Sequence, residues 1–176
     1  MYNLLIIFFL VAIVVSFLCS LLEAVLLSIT PSYARLKLQQ GGKVGRKLES
    51  FKSNIDRPLA AILTLNTIAH TLGAIGVGEQ SVKIWTDTNP MVTGVVVPAV
   101  MILGILILSE IIPKTLGATF WKQLALPSAY VIQVLIKLLF PFVWISARLT
   151  GVFSSHQATA ISREELSALA QLGAKE

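Results

Sequence analysis

Three long apolar runs constrain this chain more than any other feature: residues 4–29, 58–78 and 91–112. Each reaches the ~20 residues that an α-helix needs to cross a bilayer. In hydrocarbon every backbone polar group must be satisfied internally, so runs of this length are expected to be helices. Composition agrees: 13% of the residues are charged, against about 25% in an ordinary soluble domain. The expected fold class is therefore an all-α integral membrane protein. It would have three transmembrane helices and a set of juxtamembrane or belt helices.

The polar connections set the expected topology. Residues 30–57 carry Arg35, Lys37, Lys43, Arg46, Lys47, Lys52 and Arg57 against Glu49 and Asp56. Such a density of basic residues beside a span marks the cytoplasmic side, so the N-terminus is expected outside. Gly41-Gly42 divides this segment into two short amphipathic helices. The loop at 79–90, with Glu79, Lys83 and Asp87, is expected outside, and Trp85 is a candidate interfacial anchor. A signal peptide is a poor reading of 4–29: no basic residue precedes the run, and the run exceeds the ~7–15 residues of an h-region. The single cysteine, Cys19, lies inside an apolar run, so neither a disulfide framework nor a cysteine metal cluster is expected. The net charge of +5 is spread between apolar runs. It points to anionic lipid headgroups as partners, not to nucleic acid. The expected location is the cell (plasma) membrane, as a multi-pass protein.

Residues 124–147 are apolar but interrupted by Pro127, Lys137 and Pro141. Positive charge at both ends leaves two readings open, a broken hairpin or belt and a fourth span. The transmembrane domain is taken as 1–153. Residues 154–176 begin a cytosolic linker helix, with a capping box at Ser162-Arg163-Glu164-Glu165. The chain stops without a terminus signal, and a soluble part is expected beyond it.

Polar residues inside the runs are the functional candidates. Glu110 is followed by Pro113 and Lys114 with no polar spacer. A proline has no N–H, so the carbonyl of Ser109 loses its helical donor. This segment offers a carboxylate, a hydroxyl and a free carbonyl, all hard oxygen ligands. Ser16, Ser20 and Glu23 share one face of the first run; Asn66, His70 and Gly73 share one face of the second. At 1.5 Å per residue, Asn66 lies roughly 12 Å in from Pro58, and Glu23 and Ser20 roughly 9 and 14 Å in from Ile29. All fall in the inner half of the membrane, where they can converge on a cation. Two plainer readings stay open. Glu110 and Lys114, four apart, can form a salt bridge that ends the helix. His70 can make an ordinary helix–helix hydrogen bond. No H-E-x-x-H, G-x-S-x-G or phosphate-loop motif is present, so an enzyme is not expected.

Ser109-Glu110-Ile111-Ile112-Pro113-Lys114-Thr115-Leu116-Gly117 resembles the signature of the CorC/cyclin M (CNNM) magnesium transporters, in their membrane domain. Ser20-Leu21-Leu22-Glu23-Ala24, Leu63-Thr64-Leu65-Asn66-Thr67 and the tail Ile161-Ser162-Arg163-Glu164-Glu165-Leu166 resemble further parts of that family. The resemblance implies a homodimer whose substrate is Mg²⁺, with export coupled to Na⁺. It implies that Ser20, Asn66 and Glu110 are ligands, with the backbone at Ser109 and Pro113 shaping the site. Glu23, Ser16, His70, Gly73 and Lys114 would then support the ligands or the coupling ion. ATP-binding CBS modules would follow the tail, and this chain does not contain them. The reading from a different class is a membrane anchor whose ion site regulates a cytosolic module without transport.

Overall fold

The computed structural model describes residues 2–85 and 90–154. All of the elements there are helices. The expected capping box at Ser162 lies outside the described residues.

Helix α1 spans Tyr2–Ser28, about 40 Å at 1.5 Å per residue and more than the ~30 Å hydrocarbon core. Ile29 and Thr30 separate it from the next helix, which Pro31 opens. Thr30 is extended (φ −81°, ψ 149°), as a residue before proline prefers. Its hydroxyl then accepts from the Tyr33 N–H at 3.3 Å and caps α2, Pro31–Gln39. Gly41, at φ +80°, makes the left-handed turn into α3, Lys43–Ser53. Gly45 lets α3 press its backbone against the Lys37 carbonyl of α2, where a Cβ would not fit. Helix α4 runs Asp56–Trp85, so the apolar run 58–78 is the middle of a longer helix.

The third span is one helix, α5, Val92–Thr119. It contains two π-helical segments, Val92–Val96 and Ile105–Ile111, each just before a proline. A proline ring clashes with the carbonyl four residues back, and widening the preceding turn relieves that clash without breaking the helix. The helix therefore continues beyond the apolar run that ends at residue 112. Two further helices follow, α6 (Trp121–Leu138) and α7 (Phe140–Ser154). They meet at 86°, where Leu139 leaves helical geometry two residues before Pro141. Residues 124–147 thus form a sharply bent pair, not one straight helix.

α1 is the central element, packed along both α4 and α5. The main core lies at the basic end of the bundle. There α2, α3 and α6 cover α1 and α4, burying Leu22, Leu26, Leu48, Phe51, Ile62 and Ile132. Tyr33 ties the cover to α6, donating from its hydroxyl to the Lys122 carbonyl at 3.3 Å and stacking edge-on against Trp121. Lys52 donates to the Leu26 carbonyl at 3.0 Å, which satisfies one open carbonyl at the end of α1. Toward the opposite end the spans keep wide apolar faces, such as Leu72, Ile75, Ile102 and Leu103. Such faces suit lipid as solvent. α5 buries one narrow stripe, Met101, Ser109, Pro113 and Gly117.

Candidate functional site

Small residues bring the helices close enough for their polar side chains to meet. Gly73 and Gly76 of α4 lie against Ala12 and Phe8 of α1, with no room for a Cβ. One turn further along α1, Ser16 donates to Asn66 Oδ1 at 2.7 Å, and its oxygen lies 2.5 Å from His70 Nε2. The successive contacts show the two helices running antiparallel. On the other side, Gly104 faces Phe9 and Ile13, and a Cβ on Gly117 would stand 2.8 Å from both Ala24 Cβ and the Leu21 carbonyl oxygen. Those contacts advance together, so α1 and α5 run parallel. Ser109, between Gly104 and Gly117 on α5, therefore falls along the stretch of α1 between Ile13 and Leu21.

Ser20 is fully buried, and its hydroxyl is the buried side-chain polar atom without a hydrogen-bond partner among the described residues. Such an orphan costs about 1–3 kcal/mol. Ser109 is also fully buried, and its hydroxyl donates to the Ile105 carbonyl at 2.8 Å. The backbone beside it departs from α-helical bonding. The Ile112 N–H bonds the Ile107 carbonyl, five residues back. Leu108 thereby loses its α-helical donor, and Pro113 has no N–H to offer Ser109. Two consecutive carbonyls are stripped of their usual partners. The proline alone predicts a single freed carbonyl at Ser109 and does not say whether the chain bends there. The structure has the π turn in place of a bend.

Two carboxylates complete the set. Glu110 Oε2 lies 3.0 Å from Lys114 Nζ, and Glu23 Oε2 of α1 lies 3.5 Å from the same ammonium. The Glu110–Lys114 salt bridge anticipated from the spacing is present, but it does not end the helix, which continues to Thr119. His70 makes the interhelical hydrogen bond that was its plainer reading. Pro113 is buried on the α1 side, and Gly73 is a packing contact.

Two groups therefore form. Ser16, Asn66 and His70 join α1 to α4, and Glu23, Glu110 and Lys114 join α1 to α5, with Ser20 on α1 between them. α4 touches α5 mainly in the part of α5 before Ile105 and makes little contact with the second π segment. Among the described residues, no three His, Cys, Asp and Glu side chains cluster as a metal site. A cation held here would rely on hydroxyl, amide and carbonyl oxygens with one or two carboxylates. That donor set suits a hard ion. A cavity of about 790 Å³ lies elsewhere, between α4 and α7, with Asn54, Asp56 and Arg57 among its lining residues.

Sequence spacing alone missed the second partner of Lys114, the open carbonyl of Leu108 and the role of Gly117. Gly117 follows Ser109 and Pro113 at steps of four, and that stripe was the available signal for a helix contact.

Residues 5–176 match the family described as the cyclin M transmembrane N-terminal domain (CNNM). The UPF0053 protein sll1254 of Synechocystis sp. is 30% identical over 159 residues, which is 90% of this chain and 45% of that protein. A UPF0053 protein of Haemophilus influenzae is 26% identical over 151 residues, covering 82% of this chain and 35% of its own length. The UPF0053 inner membrane protein YfjD of Escherichia coli is 25% identical over 112 residues, 64% of this chain and 25% of its own. The chain thus spans less than half the length of these relatives.

Proposed function

The chain belongs to the cyclin M transmembrane N-terminal domain family, and from that premise we propose that it is the membrane domain of a Mg²⁺ transporter of the cell membrane. The ion binds between α1, α4 and α5 in the inner half of the bilayer. Ser20, Asn66 and Glu110 supply side-chain oxygens, and the open backbone at Ser109 supplies a carbonyl. Export is coupled to Na⁺, with Glu23 nearest the coupling step. The basic end, with α2 and α3, faces the cytoplasm and anionic headgroups. Two copies form the working unit. The protein moves an ion and is not an enzyme.

The observation that carries this reading is the Ser20 hydroxyl, fully buried and unpartnered. A hydroxyl in hydrocarbon ordinarily bonds a neighbouring carbonyl or helix. An orphan on the helix that packs along α5 would be satisfied by a cation held between it and the Glu110 segment. Charge fits as well. Mg²⁺ gives up water reluctantly and prefers about six oxygens at 2.0–2.1 Å. One carboxylate with neutral donors would hold it only moderately, and a carrier that must release its ion needs moderate binding.

The test is reconstitution of the purified chain in liposomes loaded with a Mg²⁺-sensitive dye. Mg²⁺ should cross faster than in empty liposomes, respond to an imposed Na⁺ gradient, and stop responding in Glu110→Gln. Binding of Mg²⁺ without any flux would replace the transporter by an ion-sensing anchor. A folded Glu110→Gln protein with unchanged Mg²⁺ affinity would remove the site.

A further inference from the structure

We propose that Lys114 is a tethered counter-cation that occupies the carboxylates when the transported ion is absent and must leave before that ion can bind Glu110. This rests on the site assigned above to Glu110.

The ammonium lies 3.0 Å from Glu110 on its own helix and 3.5 Å from Glu23 on α1. Two carboxylates from two helices therefore converge on one positive charge, and the cluster carries a net −1. With Lys114 removed from contact, the two carboxylates and a divalent ion sum to zero. With Lys114 still in place, the cluster would be +1, with two cations within a few ångströms in a poorly screened setting. Exchange is thus the arrangement that both states favour. The ammonium neutralises one carboxylate while the ion is away, and moves out when the ion arrives.

Exposure makes the exchange feasible. The Lys114 side chain is 46% exposed, against 19% for Glu23 and 26% for Glu110. The carboxylates are held while the lysine has a route outward, and four methylenes let it carry its charge to water or headgroups. The salt bridge is not needed to hold the helices together. One turn further on, Gly117 already sets α5 directly on Ala24 and Leu21.

The consequence is a lowered apparent affinity. A site competent only when Lys114 has swung away binds with its intrinsic constant divided by that competent fraction. Lys114 therefore prevents the ion from being trapped, and it resets the empty site for the next cycle.

Mg²⁺ titration calorimetry on the purified chain tests this, using wild type, Lys114→Gln, the double substitution Glu23→Gln/Lys114→Gln and Glu110→Gln. The double substitution keeps the cluster at −1, so its long-range field matches wild type. Both Lys114 variants should bind Mg²⁺ about ten-fold more tightly or better. In liposomes Lys114→Gln should reach half-maximal flux at lower Mg²⁺ and have a lower maximal rate. If Lys114→Gln does not fold, the double substitution decides. Unchanged or weaker affinity in the Lys114 variants, with binding lost in Glu110→Gln, overturns the counter-cation and leaves the site standing. Wild-type binding in a folded Glu110→Gln overturns the site and the counter-cation with it.

Discussion

Ser16 donates its hydroxyl proton to Asn66 Oδ1 across 2.7 Å, joining two helices at points fifty residues apart in the chain. A hydroxyl has one proton and two lone pairs. With that proton committed to Asn66, the contact to His70 Nε2 at 2.5 Å requires His70 to donate from an Nε2–H. The bond leaves Asn66 Oδ1 a second lone pair, directed by Ser16 and free for a cation. Ser16 thus acts on the proposed site through Asn66 and not by touching the ion.

Ser16→Ala should therefore weaken two properties at once. Asn66 and His70 would each lose a part-buried partner, at a cost of about 1–3 kcal/mol. Thermal unfolding in detergent should shift downward. Mg²⁺ affinity should fall as well, though less than in Asn66→Ala, because the amide oxygen remains but is no longer aimed. Equal affinity in Ser16→Ala and wild type would show that the hydrogen bond only holds helices together.

Ser20→Ala should separate stability from binding, with opposite signs. Removing an unpaired buried hydroxyl costs nothing in hydrogen bonds and eliminates a penalty of about 1–3 kcal/mol. The ion-free protein should melt at the same temperature or higher. Added Mg²⁺ stabilises wild type by mass action, and that increment should shrink or vanish in the variant. Melting curves with and without Mg²⁺ read both effects. A variant that loses ion-free stability and keeps the Mg²⁺ increment would count against Ser20 as a ligand.

How much of this was legible in the sequence varies by residue. Ser16, Asn66 and His70 were legible as two helix faces, because a helical period of 3.6 fixes which side chains share a face. The three spans were legible from length and apolarity alone. The contact between Lys114 and Glu23 was not, since it depends on the parallel register of α1 against α5, which Gly104 and Gly117 set by close packing. Pro113 announced a missing N–H, but the local rule does not say whether a chain bends or widens its turn. Here α1 packs along Ser109, Pro113 and Gly117 as one straight stripe, and a wide turn keeps that stripe in contact. The same ambiguity applied to Pro141, where little packs against the far side and the chain turns sharply.

Gly117 and Gly94 make a matched pair of tests for that packing. A Cβ at Gly117 would stand 2.8 Å from Ala24 Cβ and from the Leu21 carbonyl oxygen, whereas one at Gly94 meets nothing within 4 Å. Gly117→Ala must push α5 away from α1 and should destabilise by about 1–3 kcal/mol. Gly94→Ala should be neutral or stabilising by up to about 1 kcal/mol, since alanine loses less backbone entropy in a helix. Thermal melts of the two variants should lie on opposite sides of wild type, or at least differ clearly in that order. Similar melts would mean that the α1–α5 approach does not constrain the bundle.

Pro113→Ala gives the strictest test of why the third helix is built with a wide turn. Alanine restores an N–H at 113 and removes the ring that clashes with the Ser109 carbonyl, a clash and missing bond worth ~3 kcal/mol in an ordinary helix. The segment Ile105–Ile111 can then relax to α-helix, with the Ser109 carbonyl bonded to residue 113 and the Leu108 carbonyl to Ile112. A helix with all its bonds made should be harder to melt. The same change takes the backbone oxygens away from the cation and turns Glu110 by part of a turn relative to Glu23. Pro113→Ala should therefore raise the melting temperature while lowering Mg²⁺ affinity by about ten-fold or more. Gain of stability with loss of binding is the pattern expected of strain kept for function. A variant that binds Mg²⁺ as wild type does would show that neither the wide turn nor its open carbonyls serve the ion.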